Sequence, residues 1–262
     1  MNQMPKAKDY ENPREREVRA FFEACNLKVT RIETGPRKTP DFLVTGDGPG
    51  YLVEAKGRFD DATIRKELDS GQAVTRACLY GHSSAIERII RDTRKQLETF
   101  DSEHRYYWLV WLSAETEFAN TKLTFEQFVS TLYGIRQVVY ADKEGNAVSQ
   151  RCYYARPGVF ERWPEVDGAI ISCPDGFVLC VNEFGTRKDQ LCQLKVPMRL
   201  SERRAVVIPQ EREVLGECLI ADTAINRRDE TVLRDYLRKH YDRPELQIVD
   251  FKDYSSVVKA DL

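Results

Sequence analysis

The chain has 262 residues and a formal net charge of −2, with 42% hydrophobic and 31% charged residues, an ordinary balance that supports a sizeable buried core. No apolar run reaches membrane-spanning length, and the N-terminal stretch MNQMPKAKDYENPRERE lacks the apolar segment of a signal peptide, so the expected compartment is the cytoplasm. The seven cysteines (Cys25, Cys78, Cys152, Cys173, Cys180, Cys192 and Cys218) form no CxxC and do not group with the three histidines, which argues against zinc and for free thiols.

Asn12-Pro13 opens the first predicted helix, since proline suits the first helical turn. Val18, Phe21, Phe22 and Cys25 then recur at helical spacing as one apolar stripe, and Asn26 ends it. A short strand is expected over Leu27–Glu33, with Leu27, Val29 and Ile32 alternating inward. The loop TGPRKTP follows, broken by Gly35 and Pro36 and charged at Arg37 and Lys38. Asp41–Thr45 and Tyr51–Gly57 are two further strands, joined by the turn GDGPG and expected to pair as a hairpin. Ala62–Leu68 reads as a short helix. Ser83 or Ser84 caps a longer one, whose stripe is Ala85, Ile86, Ile89, Ile90, Leu97 and Phe100. RYYWLVWLS is a near-continuous apolar strand, the kind buried on both faces. TFEQFVSTLYG is a helix capped by Thr124, and IRQVVYAD is another strand.

Residues 10–141 thus read α-β-β-β-α-β-α-β, an α/β mixed sheet flanked by helices. Beyond them RCYYAR, RAVVIP and LQIVDF read as strands, and DETVLRDYLRKHY as a helix with Val232, Leu233, Tyr236 and Leu237 on one side. DGAIISCPDGFVLCVNEF reads as a hairpin around Pro174-Asp175-Gly176, which leaves Cys173 and Cys180 out of register for a disulfide. The expected division is a core over residues 1–143 and an α+β extension over 144–262.

Chemistry concentrates in TPDFLVTGDGPGYLVEAKG, residues 39–57. Glu54 and Lys56 stand two apart in a strand and therefore share a face, while Val53 and Ala55 point the other way. Asp41 opens the partner strand at the same edge. Two carboxylates so placed raise each other's pKa, a conflict that a divalent cation removes. Mg²⁺ prefers oxygen ligands and commonly takes one or two carboxylates. Such a metal would polarise a phosphoryl oxygen and activate water, with Lys56 positioning that water or offsetting negative charge. The Ala55 carbonyl is a candidate extra ligand.

Pro40-Asp41 followed by Glu54-Ala55-Lys56 resembles the motif of the PD-(D/E)xK nuclease superfamily, which includes restriction endonucleases and Holliday-junction resolvases. The resemblance covers about half of the chain. It implies a restriction endonuclease-like core of α-β-β-β-α-β order and a Mg²⁺-dependent nuclease, with Mn²⁺ as substitute, acting on nucleic acid, DNA ahead of RNA. It implies metal at Asp41 and Glu54, and in many members a glutamate from the first helix. Glu15 is the match chosen here, with Glu11 and Glu17 as rivals. Some relatives carry QxxxY on the following helix; Gln96 stands at the Gln position, but Phe100 replaces the Tyr.

Each reading has a plainer counterpart. Glu54 and Lys56 form an exposed ladder pair if the strand is half-solvated, although that leaves Asp41 unexplained. Glu15 is equally one member of a solvated acidic face with Glu11, Glu17 and Glu23. Arg37, Lys38 and Arg58 suit phosphate contacts or plain solubility. His82, His104, Trp108 and Trp111 read as structural. Tyr153 and Tyr154 between Arg151 and Arg156 suit either base stacking or a sheet. With a net charge of −2, a nucleic-acid partner has to be held by a local basic patch or a metal. A nuclease-fold binding module, and a subunit dependent on a protein partner or a second copy, are the alternatives to a free-standing enzyme.

Overall fold

The computed structural model describes residues 12–33, 38–59, 66, 69–70, 74–79, 81–115, 121–173, 175–250 and 252–257. Helix α1 (Pro13–Ala24) starts where expected, with Asn12 as its cap and proline at its first position. The Asn12 side chain accepts from the Glu15 N–H, and the Glu15 carboxylate accepts from the Asn12 N–H, a reciprocal capping box. Val18, Phe21 and Phe22 form its buried stripe.

Strands β1 (Lys28–Arg31), β2 (Phe42–Thr45) and β3 (Tyr51–Phe59) form an antiparallel meander, and β2 and β3 are the expected hairpin. After β4 (Val74–Leu79), helix α2 (Ser84–Phe100) starts at Ser83, whose hydroxyl accepts from Ile86. Ile86, Ile90, Thr93 and Leu97 are its buried face, while Ala85 and Phe100 of the expected stripe are exposed. Strand β5 (Tyr107–Glu115) lies parallel to β3 and is buried on both faces from Tyr107 to Ser113. Helix α3 (Thr121–Tyr133) begins three residues before the expected Thr124 cap, so Thr124 is a buried residue within the helix. Ala62–Leu68 falls largely outside the described residues.

The remaining elements do not form a separate block. Strands β6 (Arg136–Ala141) and β7 (Ala147–Tyr153) pair antiparallel. After helix α4 (Val159–Arg162) come strands β8 (Gly168–Cys173) and β9 (Gly176–Val181), paired with Cys173 opposite Gly176. Helices α5 (Lys188–Cys192) and α6 (Lys195–Ser201), strand β10 (Val206–Val207), helix α7 (Pro209–Val214), strand β11 (Cys218–Ile220), helix α8 (Glu230–His240), β12 (Gln247–Val249) and β13 (Lys252–Val257) complete the chain.

Seven strands make the main sheet, in the order β1-β2-β3-β5-β8-β9-β10; β3, β5 and β8 run parallel and their neighbours are mixed. A four-stranded sheet has the order β11-β7-β6-β12, and β4 pairs with β13. The main sheet therefore takes strands from both sides of residue 143, and β6, which precedes that point, belongs to the second sheet. One face of the main sheet packs Tyr51, Val53, Ala55, Leu109 and Trp111 against α1 and α6. The opposite face sets Val110, Leu112 and Ile171 against α2 and α3, with Leu52, Trp108 and Leu97 in a smaller adjoining cluster. The described cysteines Cys25, Cys152, Cys173, Cys180, Cys192 and Cys218 are free thiols. No described helix is long and apolar enough to cross a membrane.

Candidate active site

The hairpin register creates the site. Phe42 lies opposite Val53 and Leu43 opposite Leu52, so extending the ladder by one pair sets Asp41 opposite Glu54. Phe42 and Val53 enter the cluster under α1, whereas Leu43 and Leu52 pack on the other face, near Leu97 of α2. By alternation Asp41, Glu54 and Lys56 share that second face.

The contacts agree with this placement. The Asp41 N–H donates to Glu54 Oε2 at 3.1 Å, and the Ala55 N–H donates to Asp41 Oδ2 at 2.8 Å. The Lys56 ammonium forms an ion pair with Glu54 Oε1. The carbonyl and N–H of one strand residue face the same side, so the Ala55 carbonyl points to the edge where Asp41 sits. Gln96, reaching from the buried side of α2, donates from Nε2 to the Thr39 carbonyl at 2.6 Å and also hydrogen-bonds the Glu54 side chain. Its amide carries two N–H donors, enough for both contacts. Gln96 thereby ties the segment entering Asp41 to the glutamate opposite it.

Glu54 is 1% exposed. Burial first, then the neighbouring Asp41 charge, push its carboxyl up to about 7; Lys56 and Gln96 pull it back. Two hard-oxygen carboxylates with a deficit of positive charge are the donor set that Mg²⁺ or Mn²⁺ takes, so the residues fit the implied metal. Among the described residues, no three His, Cys, Asp or Glu side chains come together as a metal-holding group. A cation here would find two carboxylates, Asp41 and Glu54, and the Ala55 carbonyl.

The other expected residues lie elsewhere. Glu15 is committed to the capping box and to an ion pair with Arg31 at 3.2 Å, and no contact joins it to Asp41 or Glu54. Glu17 accepts from Ser172 and Ser113 at the far ends of β8 and β5. Glu11 and Arg37 lie outside the described residues, as does the Arg58 side chain; Lys38 is exposed two residues before Pro40. His82 pairs with Glu87, and His104 contacts Asp167 and Arg187. Trp108, Trp111, Tyr153 and Tyr154 are buried. The capping role of Glu15 has a readable signal, an Asn three residues ahead of it. The contact of Gln96 with Thr39 has none beyond its place on the buried side of a helix. No protein-family model, curated protein or solved structure matches the chain.

Proposed function

We propose that this chain is a divalent-metal-dependent nuclease of the PD-(D/E)xK type, with a restriction endonuclease-like core, hydrolysing phosphodiester bonds in DNA ahead of RNA. The observation that carries this reading is the juxtaposition of Asp41 and Glu54 on one sheet face with Lys56 beside them. The order α1-β1-β2-β3-β4-α2-β5, in which β4 pairs with β13 outside the main sheet, supports it as well.

Asp41, Glu54 and the Ala55 carbonyl hold Mg²⁺ or Mn²⁺ in this reading. When bound, the cation supplies charge neutralisation at the phosphate and a water of lowered pKa. With a cation held by Asp41 and Glu54, the Lys56 ammonium would be available to donate to the scissile phosphate or to orient the attacking water. Gln96 keeps Glu54 and the Thr39–Asp41 segment in one geometry, so that the two carboxylates stay opposed. Lys38, exposed two residues before Pro40, is the candidate phosphate contact at the rim.

The test is cleavage of circular single-stranded DNA, supercoiled duplex DNA and labelled RNA in Mg²⁺, Mn²⁺ or EDTA. The expected result is cation-dependent cutting that Glu54→Gln and Lys56→Ala each reduce by about 100-fold or more, with the fold retained. Equal cutting by wild type and variants removes the assignment. A second reading is favoured by one observation: Lys56, the Asp41 N–H and Gln96 already satisfy Glu54. Such a closed network suits a silent nuclease-fold module, or a subunit that needs a protein partner or a second copy. Nucleic-acid binding that persists in EDTA, without cutting in any lane, supports that alternative.

A further inference from the structure

The sheet face opposite the carboxylate pair carries a cavity of about 410 Å³ between α1, the start of β9 and α6. That volume lies in the range of small-molecule sites, roughly 300–1,000 Å³. Its floor is aromatic: Phe21 and the half-buried Phe177 pack with ring centroids 4.7 Å apart, and Trp111 lies 5.3 Å below Phe177. Ala20, Ala24, Gly176 and Ala205 line it, and their small side chains leave the space above the rings open. The two ends differ in charge. Glu17 and Asp175 stand at one end, where α1 begins and β9 turns in. Arg199 and Arg203 stand at the other, beside Cys25. The arginine end continues into a second, open hollow of about 540 Å³ that adds Lys195, with Glu202 as an acidic neighbour. Arg199 is fixed across the end of α1 by donating to the Ala24 carbonyl.

A ligand complementary to this groove has a flat apolar body, an anionic group at one end and N–H donors at the other. We propose that the groove binds a nucleoside monophosphate with an amino-bearing base. The base would stack on the half-buried Phe177, with the Phe21 ring tilted 57° at its side, its exocyclic amine would donate to the Asp175 carboxylate, and its phosphate would meet Arg203 and Arg199. The site is independent of the nuclease reading, because Asp41 and Glu54 face the other side of the sheet.

The test is calorimetric titration of the full chain with adenosine 5′-monophosphate in EDTA, with wild type and Glu54→Gln side by side. Adenosine, inorganic phosphate and inosine 5′-monophosphate are the control probes. The expected result is saturable binding, equal in wild type and Glu54→Gln. Arg203→Glu should weaken it by about ten-fold or more through the lost phosphate contact. Ala24→Trp should do the same by filling the groove from a solvent-exposed helix position that no core contact needs. Inosine monophosphate, which lacks the amine, should bind about ten-fold more weakly. The proposal is overturned if adenosine monophosphate does not saturate at millimolar concentration. It is also overturned if both variants bind as wild type does, if either half of the ligand or the inosine nucleotide binds equally well, or if Glu54→Gln abolishes binding.

Discussion

Glu54 is a carboxyl that the folded chain holds protonated up to about 7, while its ordinary value is 4.5. Folding therefore takes up a proton between those values. The stability this contributes is present below pH 4.5 and is lost as pH rises through 7, by up to ~3 kcal/mol. Urea unfolding of cation-free protein at pH 5 and pH 8 should show the loss, and Glu54→Gln should lack this part of it. Mg²⁺ added at pH 8 should recover stability in the wild type and not in the variant, since the cation binds the ionised form. An identical pH dependence in both proteins would show that Glu54 does not hold its proton. Asp41, Glu54 and Lys56 were legible in the sequence because a two-residue strand spacing fixes which side chains share a face. Glu15 illustrates the limit. Three glutamates on one helix carry the same charge pattern, and only the cap geometry and Arg31 show what this one does.

The β2–β3 hairpin is the element that brings the carboxylates together, and its turn decides whether they meet. A slip of one residue in the ladder would send Asp41 to the α1 face while Glu54 stayed under α2. Gly50 guards against this. Its φ of +87° is a conformation that side chains rarely adopt, and an added Cβ would lie 2.5 Å from the Val44 carbonyl oxygen. Gly50→Ala should cost about 2 kcal/mol or more in unfolding free energy and should lower cation affinity with it. Unchanged denaturation would mean that the turn tolerates a different path. Asp47 adds a second hold, accepting from the Tyr51 hydroxyl at 2.7 Å and from the Lys195 N–H at 2.6 Å. The hairpin and the long helices were readable because each carries its own turn residues, cap or apolar period. The short helices α4 to α7 and strand β11 were not, whereas RAVVIP, read as a strand, holds the two-residue β10. Four to seven helical residues, or the three of β11, are too few to set a period, and their places are fixed by the packing around them.

On the scale of the whole molecule, the main sheet joins segments far apart in sequence. β5 pairs with β3 on one side and with β8 on the other, and β8 lies more than fifty residues downstream. Parallel pairing of this kind leaves no turn or spacing in the sequence, which is why a division near residue 143 was expected and the shared sheet was not. A fragment of residues 1–143 would leave the β8 edge of β5 unpaired, with Val110, Trp111 and Leu112 losing their neighbours. Expressed alone, it should be aggregated or poorly protected against hydrogen exchange; a soluble, cooperatively unfolding fragment would show that the first half stands by itself. The same strand has a further consequence. Trp108 is packed on the side of the carboxylate pair, near Leu52, and Trp111 on the side of the groove, beneath Phe21 and Phe177. Adjoining rows of one β-strand thus place an indole on each side of the sheet. Their emission makes the molecule its own fluorimeter: with Trp163 replaced by Phe, a Trp108→Phe chain reports events on the groove side and a Trp111→Phe chain those on the hairpin side, without any attached dye.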